Sequence, residues 1–379
     1  MMTNFISPFG EVTLERNQSS RADNLQAWDA ADSLILEHVH SIENLDTLSI
    51  LLINDSFGSL ACSLNHLAPT SWTDSFIAHQ STQHNLRHNG QESQTIPLKS
   101  TESPTHKPDV VLIKLPKTLA LLEHQLVLLK PLLTEESIVV AGCMVKYMGK
   151  AYFQLFEKYM GSVTTSLAKK KARLLFVKND ASIPLYVSPY PTSYYLENYD
   201  VTLINHANVF SRERLDLGAR FMLDHIDRLP SAEVLVDLAC GNGILGLVAS
   251  INMYQQHKIQ PTVHYVDESY MAIDSVQHNV KQYGTGKNYF YSSDGLKQTG
   301  ISEVDLIVCN PPFHQGQAIS DETAWQMIVQ SKAALKMGGE LWLVGNRHQQ
   351  YHVKIKKIFD NYEQIGSNSK FVVIKATKQ

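Results

Sequence analysis

The sequence predicts an α/β protein with two tandem domains, each built on a mainly parallel β-sheet. Short β-rich runs alternate with longer amphipathic segments along the chain, which is the pattern of a sheet with helices on both faces. The same succession of runs occurs twice, and a repeat of domain size indicates a duplicated domain. A proline-rich segment separates the two copies, as expected of a linker.

The repeat consists of four pairs of similar segments that keep their order in both halves. One short match could arise by chance, whereas four in register indicate duplication of a unit of about 190 residues. The pairs are residues 51–55 with 234–238, 72–75 with 265–268, 83–90 with 277–284, and 109–113 with 305–309.

The elements of the second copy follow from its hydrophobic patterning. A buried-strand pattern at 233–238 leads through a glycine turn into a helical pattern at 243–254. In a sheet of this kind, ligands bind at the carboxyl ends of the strands. The other expected elements are strand 262–266, helix 269–283, strands 288–292 and 304–309, helix 321–335, strand 340–344, and terminal strands at 371–375 and, in the first copy, 173–178.

The linker is expected within residues 181–192, which contain Pro184, Pro189 and Pro191. Proline at this density is unsuited to a helix interior. We place the domain boundary near residue 185, so the domains are expected to span 1–185 and 186–379.

Composition excludes several classes of protein. The chain has 379 residues, of which 44% are hydrophobic, enough for a large core and unlike a disordered or disulfide-stapled protein. It has neither a signal-peptide pattern nor an apolar run of about 18 residues, so secretion and membrane insertion are disfavoured. The four cysteines form no C-x-x-C pair. A reducing, cytoplasmic location is therefore expected.

The net charge of −4 is unevenly distributed along the chain. Residues 141–178 carry a net charge of +7 and residues 345–379 a net charge of +5, whereas the other two stretches are each at −8. Concentrated basic segments suit a polyanion such as RNA, because phosphate contacts release counterions. A solvated helix face is the alternative.

A glycine turn marks the candidate cofactor site. Residues 237–243, Asp-Leu-Ala-Cys-Gly-Asn-Gly, follow a predicted strand and open a helix, so backbone amides can face a ligand closely. The turn alone would also fit a nicotinamide or phosphate site. Asp267 ends the next predicted strand, where its carboxylate can accept hydrogen bonds from both ribose hydroxyls. Asp294 ends the third strand, where it could receive an adenine amino group.

The most specific motif is Asn310-Pro311-Pro312-Phe313, directly after the fourth strand. The prolines restrict the backbone, so the Asn310 amide oxygen and the Pro311 carbonyl can act as paired acceptors. An NH2 group conjugated with a ring or a carbonyl could donate to both. Phe313 offers a flat face for a planar target. The motif therefore predicts methyl transfer to nitrogen by positioning and electrostatic preorganisation.

Together these motifs resemble S-adenosylmethionine-dependent methyltransferases, in which an acidic, glycine-lined pocket suits a cofactor with a positively charged sulfur. The resemblance implies two tandem Rossmann-like methyltransferase domains, of which the N-terminal one is degenerate. The role of Phe210, which would cap the cofactor or the flipped base, follows only from the resemblance. The expected cofactor-binding residues are Asp237, Cys240, Gly241, Asn242, Gly243, Asp267, Glu268, Asp294, Asn310 and Phe210, and the expected catalytic residues are Asn310, Pro311, Pro312 and Phe313.

Further segments resemble one group within that family, the bacterial ribosomal RNA guanine-N2 methyltransferases. They are residues 205–211, 215–220, 236–243, 266–269 and 310–314. The resemblance covers nearly the whole chain and implies methylation of a guanine N2 amine in 23S rRNA, either naked or in a ribosomal subunit precursor. Three alternatives are a 16S rRNA target, a glutamine-modifying protein methyltransferase, and a non-catalytic rRNA-binding assembly factor.

The first copy departs from the catalytic pattern at both motifs. Residues 54–58 replace the Gly-x-Gly turn, and residues 114–117, Lys-Leu-Pro-Lys, replace Asn-Pro-Pro-Phe. We expect this copy to bind no S-adenosylmethionine and to hold RNA instead; the alternative is that it is only a folding partner. The expected RNA-binding residues are Lys114, Lys117, Lys169, Lys170, Lys171 and Arg173.

The sixteen histidines show neither an H-E-x-x-H motif nor other paired ligand spacing, so no metal is expected.

Overall fold

A computed structural model describes residues 2–16, 25–312 and 317–379. The chain divides into two compact units, Met1–Tyr190 and Pro191–Gln379. Each unit contains a seven-stranded sheet and a two-stranded hairpin, which confirms the α/β class expected from the sequence.

In the first unit, a hairpin precedes alternating helices and strands. Its elements are β1 (Met2–Ser7), β2 (Gly10–Glu15), α1 (Ala30–Val39), β3 (Ile50–Ile53), α2 (Ser59–Ser63), β4 (Thr70–Thr73), α3 (Phe76–His88), β5 (Ile96–Lys99), β6 (Val110–Lys114), α4 (Leu119–Leu129), β7 (Ile138–Met144), α5 (Lys150–Tyr159), β8 (Val163–Thr165) and β9 (Ala172–Val177).

The second unit repeats this succession. Its elements are β10 (Thr192–Leu196), β11 (Val201–Asn205), α6 (Leu217–Leu223), β12 (Val234–Leu238), α7 (Ile244–His257), β13 (Thr262–Asp267), α8 (Tyr270–Tyr283), β14 (Lys287–Ser292), β15 (Val304–Cys309), α9 (Gln317–Ala334), β16 (Leu335–Asn346), α10 (Tyr351–Phe359), β17 (Glu363–Ser367) and β18 (Phe371–Thr377).

The two large sheets have the same topology. Their strand orders are β5-β4-β3-β6-β7-β9-β8 and β14-β13-β12-β15-β16-β18-β17. In the second sheet, β12 pairs in parallel with both β13 and β15, and β18 runs antiparallel to its two neighbours. The strand order therefore reverses between β12 and β15, and a crevice at the carboxyl ends of these strands is where such sheets bind ligands.

Helices cover both faces of the second sheet, and the central strand shows this directly. Leu235 belongs to the apolar cluster on one face, whereas Val236 and Leu238 belong to the cluster on the other. All three side chains are buried, as expected of a parallel strand between two helix layers. Within the described ranges, no helix has the length and apolar character needed to cross a bilayer.

One tethering contact occurs in both units. Asn279 on α8 bonds the backbone amide and carbonyl of Ile204 in the hairpin, and the carbonyl of Asn242 in the glycine turn. Asn85 on α3 does the same with Glu15 and with the carbonyl of Phe57. A shared hydrogen-bond plan of this kind supports duplication independently of the sequence matches.

Some elements were not expected from the sequence. Helix α10 buries Tyr351, Ile355 and Phe359. Their i, i+4, i+8 spacing is that of an amphipathic helix, so the sequence does carry the pattern of this helix. Strand β17 buries only Ile365, because it lies at the sheet edge, and short edge strands leave little pattern.

Candidate active site

The glycine turn after β12 combines open space with close packing. Gly241 has φ +55° and a side chain added there would meet nothing within 4 Å. Gly243 has φ +81°, and an added Cβ would lie 2.1 Å from Val276 Cγ2. Gly243 must therefore be glycine for the turn to pack against α8, whereas the space above Gly241 can admit a ligand.

Asp267 links the end of β13 to the glycine turn. Its carboxylate accepts hydrogen bonds from the amide of Gly241 over 2.9 Å and from the amide of Ser269 over 3.0 Å. Ser269 in turn caps α8 through Ala272, and Glu268 lies half-buried between these two residues. Because a carboxylate has about four lone-pair sites, Asp267 can hold this turn and still accept a hydroxyl.

Asp237 is buried at the end of β12. One carboxylate oxygen accepts from the amide of Gly246 over 2.7 Å, and the other has no hydrogen-bond partner among the described residues. Burial raises the pKa of Asp237 to about 8, helped by the nearby Asp267 charge and opposed by the Gly246 amide. Burial also raises the pKa of the Cys240 thiol, which therefore stays protonated.

Asn242 lies in the turn, but its side chain points to the hairpin. The amide donates to Tyr194 Oη over 3.0 Å and to Asn205 Oδ1 over 2.9 Å. Asn242 therefore fixes the hairpin next to the glycine turn. Asn205 belongs to residues 205–211, one of the segments that resemble the guanine-N2 methyltransferases.

Asp294 follows β14 as expected, but its carboxylate is in an ion pair. Lys297 Nζ lies 2.5 Å from Asp294 Oδ2. A contact between Asp294 and an adenine ring stays a prediction.

The Asn310 side chain follows β15 and is oriented by a residue that the sequence reasoning missed. Asn310 Nδ2 donates to Asp216 Oδ2 over 3.1 Å. Asp216 also caps α6 by accepting from Ala219 N. Because a carboxylate can only accept, the amide nitrogen must face Asp216. The Asn310 oxygen is then left buried, with no hydrogen-bond partner among residues 2–16, 25–312 and 317–379.

Space around the Asn310 oxygen is limited by Gly218. A Cβ added at Gly218 would lie 3.5 Å from Asn310 Oδ1 and 3.3 Å from Phe371 Cε1. Pro311 is buried and Pro312 half-buried. Phe313 lies outside the described residues, so its stacking role stays a prediction.

A cavity of about 610 Å³ lies at the same edge of the sheet. It is lined by Asp216, by the half-exposed ring of Phe210, and by two cations, Arg347 after β16 and Lys370 before β18. The full lining is Phe210, Asp216, Leu217, Asn346, Arg347, His348, Ser369, Lys370 and Phe371.

The residues present fit S-adenosylmethionine. Open space over Gly241 and the Asp267 carboxylate form an acidic pocket at the carboxyl ends of β12 and β13, which suits a cationic ligand with ribose hydroxyls. Asn310 directly follows β15, the neighbour of β12, and its oxygen has no hydrogen-bond partner among the described residues.

In the first unit, Lys114 takes the place of Asn310. Ile53, the last residue of β3, pairs with Ile113, and Leu238, the last residue of β12, pairs with Cys309. Lys114 and Asn310 therefore occupy equivalent positions. Lys114 Nζ contacts Asp29 Oδ1 at 2.7 Å and Asp32 Oδ1 at 2.9 Å, and Asp29 caps α1 as Asp216 caps α6. Burial opposes the Lys114 charge, but the two carboxylates outweigh it and hold its pKa above the ordinary value.

Other groups also fill the first unit's crevice from within. The carboxylate of Asp55 accepts from the amides of Gly58, Leu60 and Ala61, so it occupies the amino end of α2. Tyr152 Oη donates to the Pro116 carbonyl over 2.7 Å. These groups therefore pair with one another inside the first unit, where Lys114 is largely buried in its ion pairs; its role in RNA binding stays a prediction.

The other basic residues of the first unit lie in two places. Lys117 is exposed after β6, and Lys169, Lys170 and Lys171 form the exposed turn before β9. Lys169 Nζ lies 2.6 Å from Glu37 Oε2. The half-buried Arg173 follows this turn. Their role in RNA binding stays a prediction.

One cluster of possible metal ligands lies beside the hairpin. The ligand atoms of His206, Asp274 and His278 are within 4.8 Å of one another. His206 Nε2 lies only 2.6 Å from Asp274 Oδ2, the distance of a direct charge-assisted hydrogen bond. The expectation of no metal stays a prediction.

Comparison with known proteins assigns both units. The model for the RLMG N-terminal domain matches residues 2–181, and the model for the methyltransferase small domain matches residues 200–375. The curated protein "Ribosomal RNA large subunit methyltransferase G" of Ectopseudomonas mendocina (strain ymp) is 45% identical over 377 residues, with 99% of each chain covered. The protein of the same name from Pseudomonas aeruginosa (strain UCBPP-PA14) is 43% identical, again with 99% of each chain covered.

A solved structure shares the fold over the full length. The 16S rRNA N2 methyltransferase RsmC of T. thermophilus, in complex with AdoMet and guanosine, superposes with a TM-score of 0.75 at 19% identity. The match covers 100% of this chain and 98% of the other.

Proposed function

Because the chain belongs to the family of ribosomal RNA large subunit methyltransferase G, we propose that it methylates the exocyclic N2 amine of one guanine in 23S rRNA. It is an S-adenosylmethionine-dependent rRNA methyltransferase. The finer specificity is supported by the acceptor geometry at Asn310 and by a fold shared with an rRNA guanine-N2 methyltransferase.

The observation that carries the proposal is the unpartnered oxygen of Asn310. Asp216 holds the nitrogen end of this amide, so the oxygen is presented to the crevice as a hydrogen-bond acceptor. A buried acceptor without a partner costs about 1–3 kcal/mol, and an N–H donor of the substrate would remove that cost. The guanine N2 amine has two N–H donors, one for Asn310 and one for the Pro311 carbonyl.

The cofactor supplies the methyl group as an electrophilic sulfonium substituent. Asp267 would accept ribose hydroxyls of the bound cofactor, and the open space at Gly241 would allow its close approach. Asn310 and Pro311 would hold the amine so that its lone pair, rather than an N–H bond, faces the methyl group. On transfer the S–C bond would break as the N–C bond formed, and the methylated amine would lose one proton to water. A base is not required, because an arylammonium group is strongly acidic.

Catalysis on this account arises from positioning and electrostatics. The target base must leave its stack to reach Asn310, and Phe313 would stack on it. The first unit holds no second cofactor on this proposal, because Lys114, Asp55 and Tyr152 already fill the corresponding crevice.

The test is a map of methylated guanines in 16S and 23S rRNA from a strain lacking this chain and from its parent. We expect one N2-methylguanosine to disappear from 23S rRNA and to return with the wild-type chain, but not with Asn310→Ala. If the N2-methylguanosine disappeared from 16S rRNA instead, the target would be the small-subunit RNA. If both rRNAs were unchanged and a protein lost a methylated glutamine, the chain would be a protein methyltransferase and the proposal would be wrong. If Asn310→Ala restored the mark, the assignment of Asn310 would be wrong.

A further inference from the structure

Two cations line the same cavity as Asp216, and neither pairs with a carboxylate of the described residues. Arg347 follows β16, and Lys370 precedes β18. Both side chains are exposed, and neither has a carboxylate within salt-bridge distance in the described ranges of the chain. Other lysines of this unit are in ion pairs, such as Lys336 with Asp305, Lys354 with Asp321 and Lys375 with Glu340.

The backbone around these two cations is held in place. Arg347 N donates to Lys370 O over 2.9 Å, so the two residues are neighbours across the β16–β18 pair. Asn368 Oδ1 accepts from the amides of Lys370 and Phe371, each over 2.8 Å, and Arg347 Nη1 donates to Asn368 O over 3.3 Å. The backbone positions of both cations are therefore set by the fold, and both residues line the cavity.

The same cavity connects the cations with the candidate methyl acceptor site. Asp216 lines its other end and bonds Asn310. A volume of about 610 Å³ is within the range of about 300–1,000 Å³ typical of ligand pockets. The lining thus combines an acceptor, the Asp216 carboxylate that bonds Asn310, with two cationic donors, Arg347 and Lys370. A nucleotide has the matching arrangement, with amine donors on guanine and acceptor oxygens on its phosphate.

We propose that Arg347 and Lys370 bind the phosphodiester next to the target guanosine and so direct its base toward Asn310. This inference rests on the proposed function, since it assumes an RNA substrate. Arginine matches two phosphate oxygens with two parallel N–H donors, and lysine adds a point charge. Fixing the phosphate positions an extruded base without reading its sequence.

The test uses the full-length chain with Arg347→Ala, Lys370→Ala and the double substitution. Lys287→Ala is the matched control, because Lys287 is exposed at the start of β14. This strand is four places away from β16 in the sheet order. For each chain we would measure kcat and KM with rRNA, the Kd for S-adenosylmethionine, and the salt dependence of rRNA binding. Arg347→Lys tests whether the two-donor geometry matters.

The double variant should raise KM for rRNA by at least about tenfold, with the Kd for the cofactor unchanged within twofold. The slope of log K for rRNA binding against log salt concentration should become less steep by about 0.7–0.9, the value for one phosphate that the protein no longer neutralises. Lys287→Ala should match wild type, and Arg347→Lys should recover only part of the affinity. Unchanged KM and slope in the double variant would overturn the phosphate site.

The binding measurement separates this inference from the proposed function. If wild type bound rRNA with a slope that fell in the double variant, but did not methylate guanine, the proposed function would fail and the phosphate site would stand. If wild type methylated guanine and the double variant did so with unchanged KM and slope, only the phosphate site would fail. If wild type did not bind rRNA at all, both would fail.

Discussion

The side-chain amide of Asn310 donates to the carboxylate of Asp216 over 3.1 Å. Asp216 is also the N-cap of α6, so one carboxylate fixes a helix end and the orientation of the candidate acceptor. In the first unit the same place holds an ion pair between the largely buried Lys114 and the half-exposed Asp29. A helix-capping aspartate thus contacts the equivalent residue in both units, and Asn310 keeps an acceptor oxygen that no described residue bonds.

Asp216 is expected to act through Asn310 and to have a separate role in stability. Asp216→Ala should lower kcat at least about tenfold and cost about 1 kcal/mol through removal of the cap. Asp216→Ser keeps a capping oxygen but is too short to hold Asn310. It should therefore recover the stability and not kcat. Thermal unfolding and steady-state kinetics on the three chains check this, and a fully active Asp216→Ser variant would contradict it.

The sequence predicted the sheet and the strand ends at which the candidate site residues lie, because the strands are apolar runs and most of these residues directly follow them. Asp267 and Asn310 could be placed in this way. The partner of Asn310 could not, since Asp216 is 94 residues away and only the packing of α6 brings the two together. The ion pairs of Lys114 could not be foreseen for a similar reason, because Asp29 and Asp32 approach it from the amino end of α1, about 80 residues away in sequence.

Lys114 is expected to stabilise the first unit. Lys114→Met removes the ammonium group and leaves Asp32 buried without its counter-charge, which should cost about 3–5 kcal/mol. Lys117→Met is the matched control, since Lys117 is exposed three residues later and should change stability by less than about 0.5 kcal/mol. Urea unfolding measures both. Equal stability of the two variants would show that the ion pair contributes little.

The stability of the second unit should fall as pH rises from about 4 to 8 through Asp237. The folded chain keeps a proton on Asp237 until pH about 8, because burial raises the pKa of this carboxyl. The unfolded chain releases that proton near pH 4. The contribution of Asp237 to the free energy of unfolding is therefore complete below that pH and declines progressively until about pH 8.

Asp237→Asn should remove this contribution, so urea midpoints at about pH 5 and 8 should differ less than in wild type. Asp305→Asn is the control. Although burial raises the pKa of Asp305, hydrogen bonds from Lys336 and from the amides of Val234 and Glu233 outweigh it and lower that pKa. The effect of Asp305 is therefore confined to lower pH, and the change in urea midpoint between pH 5 and 8 should be the same in Asp305→Asn as in wild type. The same change in Asp237→Asn as in wild type would refute the assignment.

The lysine turn of the first unit should add to RNA affinity without sequence preference. Changing Lys169, Lys170 and Lys171 together to Glu should weaken rRNA binding and reduce its salt slope by about 0.7–0.9 for each phosphate that the turn no longer neutralises. Changing Lys258, Lys281 and Lys287 together to Glu, all exposed in the second unit, alters the net charge by the same amount and serves as the control. An unchanged slope and affinity would leave the turn no role in RNA binding.

The most direct test of the central claim is methyl transfer to 23S rRNA by Asn310→Ala, measured beside the Kd for S-adenosylmethionine. The acceptor account predicts that kcat falls by about 10²- to 10³-fold, the decrease typical of a removed electrostatic partner, while the Kd stays within twofold of wild type. Methylation of guanine by Asn310→Ala at the wild-type rate would contradict the account.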